Sequence, residues 1–198
     1  SSGVMAGAAV VAAVFAATPF LLPDVSARLK VDIGHTGLIS AAQVGSFAIA
    51  SFLAGRFFRP RKRLHYGSLA LVALASLASA FAPNFTILLA TRVAAGVGLG
   101  TLTWIAWADA TRFVRGIGEV AAIAPLTAAL ASPLIGWLTD QGGFPWVFGA
   151  LAVISFAAMT LPVGFGDLPR VGRNVSSSRS NRFLLTSLLT LSLGGSSV

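Results

Sequence analysis

The chain has 198 residues, of which 56% are hydrophobic and only 10% charged, with a mean hydropathy of +0.84. Soluble domains carry about 25% charged residues, so this composition excludes a soluble globular protein and points to an all-α membrane protein. Cysteine is absent, which removes disulfides, thiol nucleophiles and Cys-based metal sites; no cofactor or metal is expected.

Each membrane crossing needs about 20 mainly apolar residues, and six segments qualify: roughly 4–22, 37–58, 66–82, 86–108, 118–139 and 145–164. The first lacks a basic leader and is longer than the apolar core of a signal peptide. It ends at Leu22-Pro23-Asp24, where proline restricts its predecessor and marks a bend. The loop from Val25 to Thr36 is balanced in charge, and segment two carries Gln43. The connection Ala82-Pro83-Asn84-Phe85 is short enough to make segments three and four antiparallel neighbours. Glu119 stands at the start of segment five, where a negative side chain complements a helix N-terminus. Residues 140–145 form a turn by their Gly and Pro content. Residues 1–165 therefore form a six-helix bundle, and the Ser/Arg-rich stretch 166–182 reads as a linker. Residues 183–198 open with an apolar run too short to cross, the expected start of a truncated seventh helix.

Two octets nearly coincide: Ala48-Ile49-Ala50-Ser51-Phe52-Leu53-Ala54-Gly55 and Ala129-Leu130-Ala131-Ser132-Pro133-Leu134-Ile135-Gly136. Each closes the second segment of a set of three, and Gly67-Ser68-Leu69-Ala70 is echoed by Gly149-Ala150-Leu151-Ala152. Three crossings separate the copies, so they run in opposite directions. The chain divides into two inverted three-helix repeats, about 4–82 and 86–164, the ground plan of many secondary transporters.

The net charge of +8 reflects orientation, and nucleic acid is not an expected partner. Arg56, Arg59, Arg61, Lys62 and Arg63 lie around the 2–3 loop, Arg112 and Arg115 in the 4–5 loop, and Arg170, Arg173, Arg179 and Arg182 in the tail. Arg28 and Lys30 lie on the other side. The positive-inside rule then places both termini in the cytoplasm.

Arg92 is the charge set well inside a span. At that depth a guanidinium costs at least ~2.5 kcal/mol, so it should face a cavity or an acidic or carbonyl partner, unless it snorkels to the nearer interface. Helical spacing puts Arg92, Gly96, Gly100, Trp104 and Trp107 near one face, and Gly96-x-x-x-Gly100 suits close helix packing. Asp24 lies close to a span on the outer side; it either meets Arg92 and takes up a proton, or stands exposed in the loop after a helix-ending proline. Gln43, Thr18, Thr101, Thr103, Trp104 and Trp107 are candidate cavity residues, with Trp107 fitting the interfacial belt and Trp104 the cavity. His35 and His65 are read as lying in or beside loops.

In order and spacing these motifs resemble the N-terminal six-helix half of a Major Facilitator Superfamily transporter. Arg92-x-x-x-Gly96-x-Gly98 is similar to the family's fourth-helix pattern, and Asp109 with Arg115-Gly116 to its 4–5 loop. Ser132-Pro133-Leu134-Ile135-Gly136 resembles the fifth-helix pattern pronounced in exporters, and Phe144-Pro145-Trp146-Val147-Phe148 the entry to helix six. The 2–3 loop departs from the family: in Gly55-Arg56-Phe57-Phe58-Arg59-Pro60-Arg61-Lys62-Arg63, Arg59 stands where the family has an aspartate. The resemblance makes Gly55, Arg59, Arg63, Asp109 and Arg115 gating residues, with Asp109 supplying the missing acid, or else solvated loop charge. It also implies that segments one and four line the cavity while three and six face lipid.

The expected function is secondary transport of a small organic solute by alternating access in the plasma membrane, proton-coupled and outward. The solute and proton path would involve Asp24, Gln43, Arg92, Thr103 and Trp104. The partners are the solute, protons, the bilayer, and either a missing C-terminal half or a second copy. A half-size scaffold that does not transport is the alternative. An intramembrane enzyme fits less well, since neither histidine is placed within a span and no pair of intramembrane aspartates exists.

Overall fold

Runs of Ala, Leu, Val and Gly, punctuated by Asp32, Asn84 and Gly143 at helix starts, build six helices. In chain order these are α1 (Ser2–Leu29), α2 (Ile33–Phe57), α3 (Lys62–Ala80), α4 (Phe85–Ala110), α5 (Val114–Gly142) and α6 (Phe144–Met159). The computed structural model describes residues 2–112 and 114–165, without the side chains of residues 33, 114 and 115. The expected linker 166–182 and the segment 183–198 lie outside the described residues.

Among the described residues, α1, α2, α4 and α5 are long and apolar enough to cross a bilayer. Helix α3 has 19 residues and begins with Lys62 and Arg63, and α6 has 16 apolar residues. Two helix starts are capped by side chains that accept otherwise orphaned amides. Asp32 Oδ2 takes Gly34 N–H at 2.8 Å and Asn84 Oδ1 takes Ile87 N–H at 2.9 Å.

Two boundaries differ from those expected. Helix α1 does not stop at Pro23 but runs through Pro19 and Pro23 to Leu29. Both prolines lie on the exposed side, and the final turn is held by contacts of Asp24 and Arg28 described below. Helix α5 begins at Val114, so Glu119 falls in its second turn and is exposed rather than serving as a cap.

Helices α1 and α4 meet at the centre, flanked by α5 on α1 and by α2 on α4. Behind them α3 and α6 pack on each other, with α3 against α4 and α6 against α1. Exchanging α1, α2 and α3 for α4, α5 and α6 reproduces these pairings, as an inverted repeat requires. The octets obey the same exchange. Ile49 and Leu130 are 63% and 79% exposed, while Ala54 and Ile135 are 2% and 4%. Like residues thus turn out of the bundle on both flanking helices. Gly3 N–H donates to Pro162 O at 3.2 Å, which brings the start of α1 and the chain after α6 to the same end.

Helix α4 can sit this deeply because three of its residues lack a Cβ. Beyond Gly96 lie Ser46 Oγ and Gln43 O of α2, and beyond Gly100 lie Phe47 O and Ser51 Oγ. Gly98 instead faces α3, where a Cβ would stand 2.9 Å from Ser68 O and 2.7 Å from Val72 Cγ2. Without a hydrophobic drive between helices in lipid, such backbone approach supplies much of the packing. Ser51 Oγ fastens the seam by donating to Gly100 O at 3.0 Å. Gly136 of the second octet has nothing within 4 Å.

Gly100→Val should therefore lower stability by about 2 kcal/mol, the scale of overpacking, whereas Gly136→Ala should leave it unchanged or slightly raised, since alanine is the better helix former. Thermal unfolding of the two variants in detergent, compared with the parent, checks this contrast.

Candidate functional site

The four front helices α1, α2, α4 and α5 line an open cavity of about 480 Å³. That volume is in the range that holds small organic ligands. Its wall is made of small α1 and α5 residues such as Ala12, Ala16 and Ala124, with Phe15, Phe47 and Trp107 as the large ones. Phe15 and Phe47 meet edge to face at 5.1 Å between centroids, a favoured geometry for aromatic pairs. The buried hydroxyl of Thr103 has no hydrogen-bond partner among the described residues. The cavity is thus apolar and aromatic, with one unspent polar group.

Trp104, expected in this cavity, lies elsewhere. It packs beside Gly55 on α2, whose Cβ would stand 3.2 Å from Trp104 Nε1, and Trp107, expected in an interfacial belt, takes the cavity position. Trp104 shares the α2-facing side with Gly96 and Gly100, four residues apart, whereas Trp107 is three residues further and turns toward α1 and α5.

Arg92 is 1% exposed, so it does not snorkel. Its Nη2 donates to Ala75 O at 3.1 Å and to Ser79 Oγ at 2.7 Å on α3. The guanidinium carbon sits 4.4 Å from the centroid of Phe148 on α6, within the range of a cation–π contact. Ser79 Oγ also lies 2.7 Å from Ala75 O and from Thr91 Oγ1, which polarises the hydroxyl that receives Arg92. The charge is held by a carbonyl, a hydroxyl and a ring, and among the described residues no carboxylate pairs with it. Arg92 and Gln43 line one small chamber of about 10 Å³, between Thr18, Leu21, Leu88 and Phe148. Arg92 Nε and Gln43 Nε2 are buried there without partners among the described residues.

Asp24 does not meet Arg92, nor does it stand free in a loop. Its Oδ2 accepts Phe144 N–H at 2.6 Å, at the start of α6, and its Oδ1 receives Arg28 Nε at 3.3 Å. Arg28 Nη2 in turn donates to Gly142 O at 3.0 Å, and its charge lies 5.6 Å from the Phe144 ring. Gly143 adopts φ +70°, and a Cβ there would collide with Asp24 Oδ2. A side chain at that position is therefore excluded twice, by conformation and by the carboxylate. This clamp ties α1 to the α5–α6 turn.

The loop residues are less connected. Arg59 and Arg63 are exposed, and no carboxylate of the described residues lies within ion-pair distance of either. Asp109 pairs with Arg112 at 3.7 Å, and the side chain of Arg115 lies outside the described residues. Ser132 Oγ bonds back to Ala128 O at 2.7 Å, and Pro133 is exposed within an unbroken α5. His65, expected beside a loop, is buried in the first turn of α3 against Gly7.

Sequence reasoning missed Ser79 and Phe148, which hold Arg92, and Phe15 and Phe47, which shape the cavity. A signal existed for the serine: Ser76 and Ser79 lie three apart in the otherwise apolar stretch 69–80 of α3 and are both buried. The phenylalanines had none, because aromatic residues occur throughout the apolar spans.

An all-helical bundle of this pairing, built around an apolar cavity, defines a polytopic membrane protein of the transporter kind. The Major Facilitator Superfamily model matches residues 4–196, and the chain belongs to that family. It is 30% identical over 178 residues to a "Multidrug resistance protein B homolog" of Mycobacterium tuberculosis, covering 82% of this chain and 31% of that one. Against a "Chloramphenicol efflux pump" of the same organism it is 30% identical over 186 residues, covering 86% and 45%. An uncharacterized MFS-type transporter from that source is 31% identical over 64% of the chain and 23% of its own length. The chain thus spans less than half the length of these curated relatives. No solved structure gives a significant match. Family members are transporters rather than enzymes.

Asp24→Ala should remove the clamp and cost about 1–2 kcal/mol, the range for a charge-assisted hydrogen bond at a partly exposed site. Asp24→Asn, which keeps an acceptor for the Phe144 amide, should cost less than half of that. Thermal unfolding of both variants reads the difference.

Proposed function

We propose that the protein takes part in secondary transport of a small, largely apolar organic solute, moving it outward across the plasma membrane by alternating access. The observation that carries this reading is the front cavity: about 480 Å³, walled by alanines and by Phe15, Phe47 and Trp107, with the free hydroxyl of Thr103. Such a wall selects for shape and hydrophobicity. The names carried by two relatives, a multidrug resistance protein homolog and a chloramphenicol efflux pump, support the outward direction and this kind of solute.

A second six-helix bundle completes the pathway, either a further half or another copy. The exposed apolar residues of α2 and α5, among them Phe52 at 67% and Leu130 at 79%, support this docking. Both termini of the bundle face the cytoplasm under the positive-inside rule. The two bundles rock about the cavity and expose it to each side in turn. The gating contacts would come from Gly55, Arg59, Arg63, Asp109 and Arg115 at that side, with the seam glycines Gly96, Gly98 and Gly100 and the Ser132-Pro133-Gly136 stretch as packing elements.

Coupling to protons runs through Asp24 in this reading, with Gln43 and Arg92 as the buried donors on the path. Protonation of Asp24 would discharge the carboxylate that holds Arg28 and the Phe144 amide, which loosens the clamp.

Proteoliposomes with an imposed proton gradient test the proposal using a panel of aromatic solutes. The expected result is gradient-dependent flux, with Trp107→Ala weakening apparent affinity about tenfold, as loss of an aromatic contact implies, and Trp104→Ala leaving it unchanged. Asp24→Asn should transport without pH dependence. Absence of any gradient-driven flux, or equal effects of Trp107→Ala and Trp104→Ala, would sink the reading.

A further inference from the structure

On the back of the bundle, α2, α3 and α4 leave an open apolar groove of about 510 Å³, separate from the front cavity. Its walls include Ile49 and Leu53 of α2, Phe58 just past its end, Leu71 of α3 and Val97 of α4. Its floor is cleared by small residues, and Gly67, which lines it, has nothing within 4 Å of its absent Cβ. On α2 the lining runs from Ser46 to Ala54, a rise of roughly 12 Å, and Phe58 just past the helix end extends it. That matches one leaflet of a hydrocarbon core about 30 Å thick. At one end of the groove stands Arg63, and Arg56, Arg59, Arg61 and Lys62 are exposed around it. No carboxylate of the described residues lies within ion-pair distance of any of these five cations.

The inverted repeat supplies an internal comparison. The position equivalent to Gly67 is Gly149, also with nothing within 4 Å, and it lines a groove at the opposite end of the molecule. There the residues standing where Arg63 and Leu64 stand are Pro145 and Trp146, and no cation lines the groove. The two ends share an open apolar cleft and differ in charge. Among the described residues, a cation, Arg63, lines the cleft beside the α2–α3 loop and none lines its counterpart.

We infer that the α2–α3–α4 groove is a binding site for an anionic glycerophospholipid of the leaflet that borders the α2–α3 loop. One acyl chain lies against Leu53, Leu71 and Val97 over Gly67, and the headgroup phosphate meets Arg63. Clusters of basic residues just outside a membrane-spanning helix attract anionic lipids, and an apolar cleft beside them turns that attraction into a localised site. Arginine suits it, since its fork of donors matches two phosphate oxygens. In the orientation adopted under Proposed function this leaflet is the cytoplasmic one, but occupancy of the groove does not depend on that assignment.

The test is native mass spectrometry of the full chain released from micelles, with phosphatidylglycerol and phosphatidylcholine of identical acyl chains as probes. The parent should retain phosphatidylglycerol in preference, one molecule per chain. Arg63→Gln should reduce its retention about fivefold, the effect of one basic residue near an anionic headgroup. Lys30→Gln, at the opposite end, should not. Gly67→Leu puts its Cβ in open space, projects its side chain into the cleft and leaves every charge in place, so it should abolish retention while thermal unfolding stays near the parent value. Equal retention of both lipids, equal losses in Arg63→Gln and Lys30→Gln, or full retention in Gly67→Leu would overturn the inference. Mapping the sidedness of the α2–α3 loop with an impermeant label is a separate measurement, so an error in orientation would not be mistaken for an empty groove.

Discussion

The structure depends on how near the backbone of α4 comes to its neighbours. Gln43 O and Phe47 O of α2 and Ser68 O of α3 occupy the space where Cβ atoms of residues 96, 100 and 98 would be. In lipid, helices gain little from hiding apolar side chains, so contact area at short range decides which pairs adhere. Glycine at three positions of one helix fixes α2 and α3 on two of its sides. It thereby sets where Arg92, one turn earlier, must point.

The position of Arg92 follows from that packing and from the chemistry of its surroundings. A buried guanidinium must spend its donors, and α3 offers a carbonyl and a hydroxyl while α6 offers a ring face. None of these carries a full negative charge. The arrangement satisfies hydrogen-bonding geometry and leaves the cation electrostatically uncompensated by the described residues, an expensive condition at low dielectric. The adjoining chamber, with Arg92 Nε and Gln43 Nε2 unspent, is where that imbalance is most local.

Much of the architecture was legible in the sequence because membrane spans are long and the repeat leaves paired marks. The Ala-x-Ala-Ser octets fall on α2 and α5 with matching exposed and buried positions, as opposite-running copies must. The glycine seam was legible as a packing motif, whereas the sequence left Arg92 open between a buried partner and snorkelling, and the structure buries it. Helix ends were less so. Pro23 looked like a terminus, because proline statistics reflect water, where a broken helix is readily hydrated; here α1 continues through it to Arg28. Long-range partners were not legible at all. Nothing local in Asp24 announces the amide of Phe144, 120 residues away, and the choice between Trp104 and Trp107 turned on a three-residue rotation around α4.

Helix α1 carries Pro19 and Pro23 between its two working stretches. The part before them lines the cavity through Ala12, Phe15 and Ala16, and the part after them holds the clamp through Asp24 and Arg28. Each proline deletes one rung of the helical ladder and crowds the carbonyl four residues earlier, so the bending stiffness of α1 is lowest where these duties meet. A deformation that begins at either stretch is therefore absorbed at residues 19–23 as an angle, and the two ends of this one rod can tilt independently without parting from their neighbours.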